Sequence, residues 1–106
     1  MKGYLLFNSN GFSEYEYWQG TDFKKARRII RLIKAIWRKE PMIGKPEPLK
    51  NNLKGNFSLR IDEKNRLVYE IHGDNVFVKQ CRGHYQEDLP QMNEKLLLGL
   101  HNFKEV

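Results

Sequence analysis

Apolar residues recur at three- and four-residue spacing from Phe23 through Ala26, Ile29, Ile30, Ile33 and Ile36 to Trp37. That period predicts an amphipathic helix with one buried face. Between these positions stand Lys24, Lys25, Arg27, Arg28, Arg31, Lys34, Arg38 and Lys39, so the face turned to water is strongly basic. Gly20-Thr21-Asp22 precedes the helix and supplies a cap, either Asp22 or Thr21, for its free N–H groups. Glu40-Pro41 marks its end. Upstream, residues 4–7 predict a short strand and residues 13–19 a short aromatic-faced helix.

Beyond residue 56 the period changes to two. Residues 57–61 alternate apolar and polar as a half-buried strand does. Residues 62–65 form a turn, 66–72 a second strand, 73–75 a tight turn and 76–82 a third strand. Both faces of the third strand are partly apolar, which leaves its core side open. Arg60 projects opposite to Leu59 and Ile61, and Arg66 opposite to Leu67 and Tyr69; Arg82 and His84 share a face by the same period. If helices cover the other side, a concave face carries Arg60, Arg66 and His84, although charges on one side of a sheet are also ordinary solvent-facing residues. Residues 41–56, with three prolines and two glycines, read as a loop. Pro46-Glu47-Pro48 holds Glu47 on a stiffened backbone, as a rigid connector also would.

In the tail, Leu89, Met92, Leu96, Leu100 and Phe103 fall at helical spacing, with Asp88 as a cap and Pro90 in the first turn. This predicts a short amphipathic helix docked on the domain or on a second copy. The expected organisation is a domain over residues 1–85 and an extension over 86–106.

The chain has 106 residues, enough for one core. No apolar run approaches the roughly 20 residues of a bilayer span, and the N-terminal apolar run is too short for a signal peptide, so it reads as a mature first strand. The single cysteine, Cys81, rules out an intramolecular disulfide or a multi-cysteine metal site and suits a reducing cytoplasm. The net charge is +6 and uneven. Residues 1–85 carry 17 Lys and Arg against 9 Asp and Glu, a net +8; residues 86–106 carry 2 against 4, a net −2. A basic body favours a polyanion such as nucleic acid, or serves solubility alone.

RNA cleavage without a metal needs a base for the 2′-hydroxyl, cations for the phosphate and an acid for the leaving 5′-oxygen. Between Glu47 and Tyr85 the chain offers a carboxylate, several cations, an imidazole and a phenol. The segments 44–53 (Gly-Lys-Pro-Glu-Pro-Leu-Lys-Asn-Asn-Leu), Arg60-Ile61, 65–69 (Asn-Arg-Leu-Val-Tyr) and 81–85 (Cys-Arg-Gly-His-Tyr) resemble the YoeB toxin family, as does Tyr17-Trp18-Gln19. The resemblance spans about residues 4–85. It implies an α+β fold of the RelE type, an antiparallel sheet packed by N-terminal helices, here with an extra C-terminal helix. It also implies a bacterial endoribonuclease that cuts messenger RNA in the ribosomal A site, touches ribosomal RNA, needs no cofactor or metal, is neutralised by a YefM-like antitoxin and forms a homodimer.

Carried over, Glu47 matches the general base, His84 the general acid and Arg66 the phosphate-stabilising residue. Tyr85 matches the last residue of the motif, where a ring stacks on a base. Lys50 and Arg60 match further basic positions, and Arg82 is placed with them as a substrate contact. The basic helix face suits ribosomal RNA or is simply solvated. His72 and His101 match nothing; Cys81 reads as a small buried residue, and Trp18 and Trp37 as core. Two departures stand out: Leu59 where related sequences carry a second arginine, and 21 residues after Tyr85. Two other readings are a ParE-like toxin acting on DNA gyrase, whose group lacks the Glu–Arg–His set, and a basic RNA-binding module without chemistry.

Overall fold

The computed structural model describes residues 3–40 and 45–84. Strand β1 (Leu5–Phe7) leads into helix α1 (Ser9–Thr21) and helix α2 (Phe23–Trp37). There follow β2 (Glu47–Pro48), a 3-10 turn (Asn51–Leu53), β3 (Phe57–Arg60), β4 (Arg66–His72) and β5 (Asn75–Gln80). Helix α1 begins four residues earlier than its aromatic pattern predicts, because Asn8 caps it by accepting the Gly11 N–H at 2.7 Å. Asp22 caps α2 by accepting the Lys25 N–H at 3.2 Å. Helix α2 buries Ala26, Ile29, Ile33 and Ile36, as its period predicts.

The five strands stand in the order β1-β5-β4-β3-β2. The sheet is mixed, not antiparallel throughout as expected: β1 runs parallel to β5, with Leu5 opposite Val76 and Phe7 opposite Val78. Tyr4 accepts the Val76 N–H at 2.9 Å, and Val78 accepts the Asn8 N–H at 3.1 Å. The two helices that follow β1 carry the chain away, which frees its edge for β5 instead of its sequence neighbour. The loop expected over 41–56 contains β2, whose Glu47 pairs with Ser58 and Pro48 with Phe57. Pro48 is tolerated there because β2 is an edge strand.

The core lies between the helices and one face of the sheet. Leu59, Ile61, Leu67, Tyr69, Val76, Val78 and Cys81 pack against Trp18, Ala26, Ile29, Ile33 and Ile36, with Trp37 partly buried beside them. The ambiguity of the last strand has a structural origin. Tyr69 pairs with Val78 but Val68 pairs with Gln80, so Lys79 is an extra residue in a bulge. On the opposite face Leu49, Leu53 and Val68 form a second small cluster. It pins the 45–56 segment to the sheet. Among the described residues no helix is long and apolar enough to cross a membrane. The helix expected in the tail lies outside the described residues, as does Tyr85.

Candidate functional site

Strand register brings Glu47, expected on a loop, onto the face of the sheet away from the helices, together with Arg60 and Arg66. Glu47 pairs with Ser58 and Ser58 with Val68, which makes one row across β2, β3 and β4. Two residues along, Arg60 stands directly opposite Arg66. With the two-residue period, all three side chains rise from the face that carries the Leu49–Leu53–Val68 cluster. Strand spacing and rise put the Cα atoms of Glu47 and Arg66 about 12 Å apart. A glutamate and an arginine can meet over one phosphate from that separation.

Glu47 is held by β2 and by the residues after it. The Leu49 N–H donates to Asn56 at 2.9 Å, and the buried Asn56 donates its side-chain N–H to Leu53 at 3.0 Å. Lys50 follows the buried Leu49 on the same pinned segment and is exposed. Arg60 is exposed and Arg66 half-buried. Two guanidinium groups on directly opposed residues repel one another. An anion laid across them would relieve that repulsion, so the pair has the character of a phosphate cradle.

The backbone before His84 comes up beside Arg66 by a route that strand periodicity does not predict. Strand β5 stops at Gln80, not at residue 82. At Cys81 the backbone leaves the sheet because side chains of α1 take both its polar groups. The Cys81 N–H donates to Glu14 Oε1 at 2.8 Å, and Trp18 Nε1 donates to the Cys81 carbonyl at 2.8 Å. Burial pushes the Glu14 carboxyl up, against the opposing pull of the backbone N–H groups of Cys81 and Arg82 and the charge of Arg82. Past that point the chain bends, with Gly83 at φ +79. The Gly83 carbonyl accepts the Arg66 N–H at 2.9 Å and its N–H donates to Asn65 Oδ1 at 2.8 Å. His84, the next residue, is therefore delivered beside Arg66, and it is exposed.

The structure does not bring Arg82 to this group. Its guanidinium lies 3.6 Å from the centre of the Tyr17 ring on α1. The expectation that Arg82 and His84 share a face fails because neither belongs to the strand. Lys25 and Arg28, counted above as free cations of the α2 face, are also engaged. Lys25 Nζ pairs with Asp62 at 2.6 Å, and Arg28 donates to the Ile61 carbonyl at 2.5 Å. Both tie α2 to the β3–β4 turn.

Sequence reading missed Asn65, Gly83 and Glu14, which set the position of the His84 arm. The signal for the first was present in Asp62-Glu63-Lys64-Asn65, where an aspartate followed by two free N–H groups marks an Asx turn. Cys81 is fully buried. Burial, with the nearby Glu14 charge, pushes its thiol up to about 12, which leaves it inert as a nucleophile. Among the described residues no group of three or more His, Cys, Asp or Glu side chains is placed to hold a metal ion.

Comparison with known proteins gives a consistent picture. A family described as YoeB-like toxins of bacterial type II toxin-antitoxin systems matches residues 7–85. The toxin YoeB of Escherichia coli strain K12 is 43% identical over 83 residues, covering 76% of this chain and 98% of the relative. A heterotetrameric YoeB–YefM toxin–antitoxin complex from Staphylococcus aureus contains a chain 37% identical to this one, covering 80% of this chain and 100% of that one, with a TM-score of 0.73. The YoeB dimer from Staphylococcus aureus gives 37% identity, the same coverage and a TM-score of 0.74. With the matched segment running from β1 through the whole sheet to Tyr85, the chain belongs to the YoeB family of toxins of bacterial type II toxin–antitoxin systems.

Proposed function

We propose that this toxin is an endoribonuclease that cleaves messenger RNA in the ribosomal A site. The observation that carries the reading is the Arg60–Arg66 pair on the same sheet face as Glu47, with the His84 arm bonded to the Arg66 backbone. In this reading Glu47 takes the proton of a ribose 2′-hydroxyl, whose oxygen attacks the adjacent phosphorus. Arg66, with Arg60 and Lys50, balances the added negative charge. As the bond from phosphorus to the 5′-oxygen breaks, His84 gives that oxygen a proton. The products are a 2′,3′-cyclic phosphate and a 5′-hydroxyl. Tyr85, next to His84 in the chain, would stack on a base. Arg82 would not touch the reacting phosphate, since its guanidinium rests on Tyr17.

The outer stripe Lys24, Arg27, Arg31 and Lys34 lines an open groove with Phe23, Tyr15 and Ile30, and suits ribosomal RNA. By likeness to the Staphylococcus aureus assemblies, a YefM-like antitoxin and a second copy of the chain are the protein partners. The toxin domain is residues 1–85 and the remainder an extension; the site of action is the bacterial cytoplasm, where ribosomes are. A purified translation system tests the reading: Glu47→Gln and His84→Gln should each lower cleavage by about 100-fold or more while keeping the wild-type fold by circular dichroism. Intact messenger RNA after incubation with the wild-type protein would overturn it.

A further inference from the structure

Asn65 is a buried polar residue, 7% exposed, and every polar group it owns is committed. Its Nδ2 donates to both oxygens of Asp62, at 2.9 and 3.1 Å, and its own N–H donates to Asp62 Oδ1 at 2.8 Å. Its carbonyl accepts the Ile61 N–H at 3.0 Å. Its Oδ1 accepts the Gly83 N–H at 2.8 Å. The orientation of the carboxamide is therefore determined by chemistry: a carboxylate only accepts and a backbone N–H only donates. Gly83 is held a second time, through its carbonyl, by Arg66 N–H and by Gln80 Nε2 at 3.2 Å. A Cβ at Gly83 would meet nothing within 4 Å, so the glycine serves the bend and not a close approach.

We propose that Asn65 is a positioning residue for His84. Its carboxamide clamps the N–H of the residue before His84 to the Asp62 carboxylate, which Lys25 in turn anchors to α2. The chain Lys25–Asp62–Asn65–Gly83 thus references the arm after β5 to the helix layer, which fixes where His84 leaves the backbone beside Arg66. This rests on the reading of His84 as the proton donor. Asn65 itself touches no reacting atom. Small displacements at a proton donor are costly, about 100-fold for 1 Å.

A double-mutant cycle on ribosome-bound messenger RNA tests the proposal. Asn65→Ala should lower kcat by about 10- to 100-fold with KM within about twofold, and should add less than about twofold to the loss in a His84→Gln background. Equal losses in the two backgrounds overturn it, because a general weakening of the fold would act in both. Asn65→Asp, which sets two carboxylates face to face, should fall as far. Adding Asp62→Asn to it restores one donor and one acceptor with their directions reversed and should recover at least tenfold of the rate; no recovery overturns the clamp. Amide hydrogen exchange separates this from the catalytic reading. In Asn65→Ala the Gly83 N–H should exchange freely while Leu67 stays protected, and continued protection of Gly83 overturns the clamp whatever the RNA assay shows. A His84→Gln protein that cleaves like wild type would instead end the assignment of His84 as the acid, with the Gly83 exchange still reporting on Asn65.

Discussion

Asp62 ties Lys25, the Lys64 N–H and Asn65 together in the β3–β4 turn, and this sets its contribution to stability. Burial raises the carboxyl, but Lys25, the Lys64 N–H and the two donors of Asn65 outweigh it and bring it from 3.8 to about 2. That difference corresponds to about 2.4 kcal/mol in favour of the charged form. The side chain is 34% exposed, so solvent screening reduces the figure to about 1–2 kcal/mol. Asp62→Asn keeps Oδ1 for the Lys64 and Asn65 N–H groups but removes the charge and the second oxygen that accepts from Lys25 and Asn65 Nδ2. It should lower Tm by on the order of 5–10 °C at pH 7 for a domain of this size. The folded value lies below the unfolded one, so the charged form stabilises fully above about pH 5 and the benefit fades as pH falls through 3.8 toward 2. Urea unfolding of both proteins, followed by the fluorescence of the buried Trp18, at intervals from pH 7 down to 2.5 measures the difference. A gap between the two proteins that does not narrow on acidification would refute the reasoning, since the loss would then come from shape and not from charge.

Arg60→Gln should leave stability unchanged or raise it by about 0.5 kcal/mol at most, because it removes like charge opposite Arg66, while cutting RNA cleavage by about tenfold; thermal melts set beside cleavage rates show this, and a stability loss above about 1 kcal/mol would mean that the pair is structural. Cys81, with its thiol pushed up to about 12, should react with iodoacetamide at pH 8 no faster than the protein unfolds, and rapid alkylation of the folded protein would contradict its burial.

Much of the fold can be read along the chain wherever one period governs one element. Helix α2 and strand β4 fall where their apolar spacing puts them, since each turns a single face to one core. The parallel pairing of β1 with β5 carries no such mark, because periodicity says which side of a strand is buried and nothing about its neighbour. The Lys79 bulge resets the alternation in mid-strand, and β2 hides inside Pro46-Glu47-Pro48, a run that reads as coil unless an edge position excuses the proline. In the site, Arg60 and Arg66 were legible because they sit inside strands. Arg82 was not, since Glu14 and Trp18 draw the Cys81 backbone out of the sheet before Arg82 is reached.

The seam between β1 and β5 also governs the order in which this protein can assemble. Helix pairs with short connections and the β3–β4–β5 meander join near neighbours, whereas Tyr4 meets Asn75 across 71 residues. Closing a loop of that length costs about 1.7 kcal/mol more than closing one of ten residues. The seam is therefore the late step, made only after the meander has formed an edge to receive the first strand. The His84 arm leaves from β5 at Cys81, where Glu14 and Trp18 of α1 hold the backbone, so the arm takes its position only once the helices have docked on the meander.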